Sequence, residues 1–482
     1  MDNYLSRMPS RYWAYLALSL WGIIVYFFLQ KSAYGVDEGA ARGLILVWSV
    51  VDQIVTPVVA LGLPDFRAVF FVPVGILWTG NVLAPRIFTI IFMAVVAWSV
   101  YQWRLRKGEA ESALLATGLL LISPSIIDQV DKLAVAPYLL SCFVFGAWLD
   151  RIYCEEPKTF SGLYFSQIIL CLVSTTLHPA GLAYPMALGW SWYKKSLNEQ
   201  QRKYFIIGIA VAVLMALLLT SGWHALDWFS NPVRSLSNLV LGASVTESDL
   251  VGIRGAIGSA MLGLILLVVW QQRFGLWNDL LGRALLIGLV MGLPVSDDAW
   301  SILALTICLY WGFPLLLKAR VDISTGFLGQ RGMALVLLFV ISTAFMFSDK
   351  IRYQQLQQGF LSPRDELIQT LAEDTNFQKQ RDRSDRSKSI RVTSQWPGRT
   401  MLACKCDALP LPPPVKDERT LLTMLHGVSY VIFNPQDSDN QSLARNLSLL
   451  GGENTETIAV KTSGVIVQMR GTLPQDVAPA IP

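Results

Sequence analysis

Charge is scarce in this 482-residue chain: 15% of its residues are Asp, Glu, Lys or Arg, against 53% hydrophobic. Soluble domains carry roughly 25% charged residues, so the composition excludes an ordinary water-soluble globule and points to an integral membrane protein. The net charge of +4 is too small and too scattered to suggest nucleic-acid binding. Six cysteines are spread along the chain without a metal-ligand spacing. Cys142, Cys154, Cys171 and Cys308 lie in or beside apolar segments, where cysteine acts as a small hydrophobe. Cys404 and Cys406 form a C-x-C pair in the polar tail. Residues two apart on a strand share a face, so a disulfide between them would be strained. No internal repeat is present, which argues against the repeat-built architecture of many transporters.

What the chain does have is long apolar runs. The first, "WAYLALSLWGIIVYFFL" from Trp13 to Leu29, follows Arg7 and Arg11. It is long for a signal-peptide core and no small-residue cleavage site precedes Asp37, so it reads as an uncleaved membrane helix. Further segments of spanning or near-spanning length occupy 85–103, 112–124, 133–149, 161–177, 180–193, 204–222, 255–270, 284–296, 299–317 and 333–348. Loop charges test this count through the positive-inside rule. With the N-terminus inside, alternate loops carry Arg104/Arg106/Lys107, Arg151/Lys158, Lys194/Lys195/Arg202/Lys203, Arg273/Arg283 and Lys318/Arg320/Arg331. The opposite set carries Asp37/Glu38, Asp128/Asp131, His178, Asp227/Glu247/Asp249 and Asp297/Asp298. A polytopic protein of about 11 transmembrane helices follows, with its tail outside.

Residues 30–84 form a first outer loop with structure of its own. "ARGLILVWSVVDQIV" is amphipathic at helical spacing, as expected of an interfacial helix, and "FRAVFFVPVGILWTG" reads as a second juxtamembrane helix. A full span there would invert every later loop. Residues 1–349 are thus expected to form the membrane module and 350–482 a small extracytoplasmic α/β domain. In that tail a charged helical stretch precedes short β-rich runs bounded by Pro, Gly and Asn, and "TLPQDVAPAIP" at the end is expected to be disordered.

The candidate chemistry is carboxylate chemistry at the outer face. Asp37 and Glu38 follow the first membrane helix directly, and the spacing of Glu38 and Arg42 also allows a plain i,i+4 ion pair. On the same side lie Arg86, Asp128, Asp131, Lys132, His178, Asp297 and Asp298, beside short helices or tight turns. "SPSIIDQVDK" reads as a ten-residue outer turn holding both signs of charge. "TTLHPAGLAYP" puts His178 before a proline, where it could join a site or merely cap a helix.

The D-E pair, the amphipathic outer segment and then "LAPRIFTIIFMAVVAWSVYQWRLRKG" resemble the glycosyltransferase C superfamily, more closely its branch of protein O-mannosyltransferases and lipid A aminoarabinose transferases. "LHPAGLAYP" is similar to that branch between the fifth and sixth helices, and "VTSQWPGRTMLACKCDALPLP" with "LHGVSYVIFNP" to its small outer domain. The resemblance implies transfer of a sugar, with inversion, from a polyprenyl-phosphate donor to a lipid, glycan or protein acceptor outside a bacterial inner membrane. It implies Asp37 as catalytic base, with Glu38 beside it. Arg86, Lys132, His178 and Arg42 become candidates for the donor phosphate, which needs cationic or N–H stabilisation. Asp128 and Asp131 are further site candidates. No cofactor is demanded, although Glu38, Asp128 and Asp131 could hold a divalent metal.

Two departures from the family pattern stand out. "FRAVFFVPVG" lacks the Pro-Pro pair common after the first outer helix. Lys132 is followed by "LAVAPYLL" without the acid that many members carry there. Either the acidic function has moved or the activity is altered or lost. A polyprenyl-linked glycan polymerase or ligase, a transporter or flippase, and a non-catalytic assembly subunit are the alternative readings.

Overall fold

The described parts of the apolar segments named above fall on helices; 204–222, apart from isolated positions, and the ends 294–296 and 315–317 lie outside the described residues. The computed structural model describes residues 10–52, 67–105, 110–155, 160–194, 251–293, 298–312, 330–359, 361–383, 390–415, 418–437, 440–450, 455–461 and 463–470, with isolated positions between 207 and 314. The loop charges at 195–203, 227–249, 297 and 318–320, and the tail end after 470, also lie outside them.

The chain opens with α1 (Ser10–Phe27), α2 (Glu38–Asp52), α3 (Ala68–Leu77) and α4 (Leu83–Leu105). Next come α5 (Ala110–Leu121), α6 (Pro124–Lys132), α7 (Val135–Glu155) and α8 (Phe160–Leu177). A 3₁₀ turn at Pro179–Leu182 leads into α9 (Ala183–Lys194). After it stand α10 (Val251–Asn278), α11 (Leu280–Gly292), α12 (Asp298–Ile307) with a π turn at Cys308–Gly312, and α13 (Gln330–Gln357). The remainder alternates: α14 (Pro363–Glu373), α15 (Thr375–Arg383), β1 (Arg391–Ser394), α16 (Pro397–Cys404), β2 (Asp407–Pro410), α17 (Glu418–Met424), β3 (Tyr430–Phe433), α18 (Gln441–Leu449), β4 (Thr455–Lys461) and β5 (Gly464–Met469).

Two compact units result: Met1–Leu29 with Ala84–Gln358, and Gln30–Leu83 with Gly359–Pro482. This division differs from a single boundary near residue 349, because the first outer loop groups with the tail. The first unit is helical. Three of its described helices are long and apolar enough to cross a membrane: Leu83–Arg104, Val135–Ile152 and Ser259–Asn278. A fourth would be added if a bent pair counts as one span, and the expected count of eleven reaches beyond what these described helices test.

That bent pair corrects the sequence reading of "SPSIIDQVDK". Ser112–Leu121 and Pro124–Lys132 meet at 50°, so the stretch is the short helix α6, not a turn. Pro124 at its first position breaks the incoming helix and suits a new helix start. Its apolar face, with Ile126, Ile127 and Val130, is buried.

Two interior polar groups tie helices of this unit together. The Arg283 guanidinium donates to the carbonyls of Trp277 and Ala187 and to Ser191 Oγ. Trp21 Nε1 donates to the Leu121 carbonyl at 2.7 Å, joining α1 to α5. α9 packs on α11 and α7 on α8.

The second unit holds a five-stranded sheet in the order β2-β1-β3-β5-β4. β1 pairs in parallel with β2 and β3, while β5 runs antiparallel to both β3 and β4. β3, "YVIF", is buried along its whole length. The period of two explains it: Tyr430 and Ile432 face a core with Leu367, Ile368, Leu371 and Phe377, and Val431 and Phe433 face another with Leu421, Leu425, Leu443 and Leu447. Cys404 and Cys406 are not on a strand. Cys404 ends α16, Lys405 takes the left-handed conformation (φ 53°, ψ 47°), and both thiols are buried and unbonded to each other.

Gly181 tests the packing of the first unit. A Cβ there would lie 1.7 Å from the Ser174 carbonyl oxygen and 2.4 Å from its carbon, backbone atoms that cannot swing aside. Gly181→Ala should therefore lower the unfolding midpoint in detergent sharply, by more than the roughly 1–3 kcal/mol of ordinary overpacking. Gly162→Ala, on α8 with nothing within 4 Å, should leave it unchanged or raise it.

Candidate functional site

Asp37 is the residue immediately before α2, and it caps that helix. Its carbonyl accepts from Ala41 N at 2.9 Å and its Oδ2 from Gly39 N at 3.2 Å. The same Oδ2 lies 2.6 Å from Arg67 Nη2. Arg67 is buried, with 5% of its side chain accessible, while 41% of the Asp37 side chain remains open. Burial by itself would raise the Asp37 pKa. The Arg67 guanidinium, through charge and hydrogen bond, with Arg399 and the Ala40 N–H, outweighs it and holds the carboxyl below its usual range. Asp37 is a reachable carboxylate kept ionised by a cation that is itself out of solvent.

Glu38 has a different job. Its Oε1 accepts from Gly398 N at 2.7 Å and its Oε2 from Arg399 N at 3.0 Å, the first N–H groups of α16. A carboxylate at a helix N-terminus satisfies orphan donors and complements the helix dipole. The i,i+4 contact expected with Arg42 is also present, Arg42 Nε donating to Glu38 Oε1 at 2.9 Å. A Cβ on Gly398 would come within 2.9 Å of Arg42 Cγ and 3.0 Å of Glu38 Oε1, so the close approach requires glycine.

A second polar cluster lies in the helical unit. Lys132 Nζ is 2.6 Å from Asp128 Oδ2; the Arg352 guanidinium bridges Asp128 and Asp131, 2.6 Å from the latter's Oδ2; Arg86 Nε is 3.3 Å from Asp131 Oδ1. Charge alternates along Lys132–Asp128–Arg352–Asp131–Arg86. Arg86 is fully buried and also donates to the Asp131 carbonyl at 2.7 Å. Lys132, 35% accessible, is the most open member. Asp298 accepts from Gln129 Nε2 at 3.3 Å, tying α12 to α6. His178 stands elsewhere in this unit, buried, its Nδ1 accepting from Ala180 N at 3.1 Å. It caps the 3₁₀ turn, as its place before Pro179 allowed. Asp297 lies outside the described residues.

Sequence reasoning missed Arg67, Arg352 and the Gly398–Arg399 amides. Arg67 is thirty residues from Asp37 and Arg352 more than two hundred from Asp128, so no local spacing could announce either. Among the described residues no three of His, Cys, Asp or Glu gather as a metal would need. Glu38, Asp128 and Asp131 spend their oxygens on arginine, lysine and amide partners, a poor fit to a divalent ion.

No protein-family model matches the chain, and no curated protein matches its sequence. Solved structures do. The chain resembles apo ArnT from Cupriavidus metallidurans with TM-score 0.54 and 10% identity, over 95% of this chain and 98% of that one. ArnT bound to undecaprenyl phosphate gives 0.50 at 10% identity, over 96% and 99%. The Archaeoglobus fulgidus oligosaccharyltransferase tethered to an acceptor peptide gives 0.51 at 11%, over 96% of this chain and 75% of that one. At such identities the likeness is one of fold.

The Asp37–Arg67 pair predicts a pH dependence. A carboxylate with lowered pKa adds stability above its unfolded value, about 4, and that stability is lost as pH falls through the folded value. Arg67→Gln removes the main lowering influence and leaves burial to act. Arg67→Gln should therefore be less stable than the wild type at pH 6, and unfolding midpoints measured from pH 6 down to 3 should show a smaller acid-side loss in the variant, the two proteins converging as Asp37 becomes protonated.

Proposed function

The chain has the glycosyltransferase C fold, and on that frame we propose that it is an integral-membrane glycosyltransferase. Asp37 carries the reading. It follows the first apolar helix, is open to solvent, and is fixed at both ends of its carboxyl environment by a helix cap and Arg67. The donor we assign is a polyprenyl-phosphate sugar, as befits a fold shared with an undecaprenyl-phosphate-binding transferase. The acceptor is a lipid, glycan or protein. We place the reaction on the outer side of a bacterial inner membrane, with the N-terminus cytoplasmic.

The chemistry follows from the groups. An acceptor hydroxyl attacks the anomeric carbon from the face opposite the lipid phosphate, and the C–O bond to phosphate breaks with inversion. The electron pair leaves with the phosphate, and the hydroxyl proton passes to Asp37. Its low pKa suffices because that proton becomes acidic only as the new bond forms. Glu38 is reassigned from catalysis to positioning: its oxygens hold α16, and its effect on transfer passes through the placement of Asp37. For the lipid phosphate we assign Lys132, the open end of the charge chain, with Arg86 as its buried anchor. Arg42 and His178 already serve Glu38 and a helix cap, so their part is structural.

Asp37→Asn keeps volume and cap but cannot take the proton. Transfer measured by glycan profile or in vitro assay should fall 10²–10⁴-fold with protein level unchanged, and full activity in this variant would remove the base assignment. Glu38→Gln, which keeps one of two acceptor oxygens, should be milder in transfer and show a lowered unfolding midpoint.

Lys132→Gln should raise KM for the lipid donor about tenfold, the ordinary worth of one charge-assisted hydrogen bond, with kcat little changed. Lys132→Arg should recover much of it. An unchanged KM would send the donor phosphate elsewhere.

A further inference from the structure

The unit that carries Asp37 also contains a cavity of about 790 Å³ on whose wall neither Asp37 nor Glu38 lies. That volume falls within the range of about 300–1,000 Å³ typical of small-molecule sites. Lys31 stands at one part of the wall, Trp48 and Ser49 come from α2, Asn81 from the turn after α3, Lys405 from the link between α16 and β2, and Asp407 from the start of β2. Ile45, Met401 and Leu402 complete an apolar side.

The wall states what it would hold. Two lysines face one aspartate, so the cavity favours an anion. Ser49 Oγ and Thr79 Oγ1 both donate their hydrogens to carbonyls of their own helices, to Leu46 and Gly75. Their oxygens are left to accept, which calls for hydroxyl donors in the guest. The Trp48 indole and the apolar side call for a face of C–H bonds. An anion, several hydroxyls and a C–H face occur together in an acidic sugar.

Lys405 supplies a second argument. It ends α16 at φ 53°, a conformation that favours glycine, and its side chain is exposed. Glycine is the commoner residue at such a stop; here the position sets an ammonium at the cavity, where it also complements the C-terminal end of α16.

We propose that this cavity binds an acidic saccharide, a sugar bearing phosphate or carboxylate, as the recognised part of the acceptor, with Lys31 and Lys405 as counter-ions. The acceptor role rests on the sugar-transfer reading above; the binding site does not.

The test is binding of four probes to the full chain in detergent by calorimetry or saturation-transfer NMR: glucose 1-phosphate, glucuronate, glucose and inorganic phosphate. Both acidic sugars should bind, each at least about tenfold tighter than glucose, and more weakly as salt rises. Lys405→Gly should weaken them about tenfold or more while its unfolding midpoint equals or exceeds that of the wild type, since glycine relaxes the backbone. Lys31→Gln should weaken them similarly. Glucose binding as tightly as the acidic sugars would overturn the counter-ion role, and phosphate alone binding as tightly as glucose 1-phosphate would overturn the saccharide. Unchanged affinity in both lysine variants would overturn the site. The two readings fail separately: transfer retained by Asp37→Asn overturns the base and leaves the cavity assignment standing, whereas acidic sugars that do not bind the wild type overturn the cavity assignment and leave the base.

Discussion

The carboxylate of Glu38 bonded to the amides of Gly398 and Arg399 is the contact on which the second unit depends. It joins residues 360 and 361 positions apart. It sets the first turn of α2 against the first turn of α16, and α16 in turn packs against β1 and β2. Ile45, Met401 and Ala408 form a small core along the same seam. Pro397 gives α16 its start without wasting an N–H, and Gly398 lets the carboxylate approach.

This contact separates the roles of two adjacent acids. A helix N-terminus offers several unsatisfied N–H groups, and α2 and α16 each present one. Asp37 caps its own helix and retains an open side; Glu38 caps the other helix and is committed. Arg67 completes the arrangement by neutralising Asp37 from the buried side, so the carboxylate stays ionised without a counter-ion from solvent. A neutral amide at 37 would preserve the cap while discarding the charge. The cap survives such a change but the charge facing the buried Arg67 does not, so loss of transfer at this residue is read beside its unfolding midpoint.

What the sequence disclosed follows the range of the forces involved. The amphipathic spacing of "ARGLILVWSVVDQIV", the proline-interrupted helix after Arg67 and the short β-rich runs of the tail are local patterns, and the described residues there form helices and strands. The Glu38–Arg42 pair was legible for the same reason. Arg67, Arg352 and the α16 amides were not, because each partner meets its carboxylate only through tertiary packing. "SPSIIDQVDK" misled because Pro124 and two aspartates look like a turn; its buried Ile126, Ile127 and Val130 lie at helical spacing, and that pattern was the better signal. The C-x-C pair was set on a strand because helix α16 is short and its end is a left-handed lysine, a stop that composition does not announce.

In the helical unit the same logic governs charge. A buried ion is costly unless paired, and breaking one buried pair costs about 3–5 kcal/mol because the surviving charge is stranded. Arg86 alone inside this bundle would be prohibitive; beside Asp131 it is tolerated, and Asp131 and Asp128 are each held by Arg352 in turn. Charge therefore passes outward by alternation, from an arginine with no exposure to a lysine with a third of its side chain open. Each member fixes the rotamer of the next, so α6 and the C-terminal end of α13 are located by directional contacts where apolar packing alone would permit sliding. An anion arriving at Lys132 would compete with Asp128, whose other oxygen already has Arg352. The chain can give up its last contact without stranding a buried charge. That asymmetry makes its outer end a place for a ligand and its inner end a place for structure.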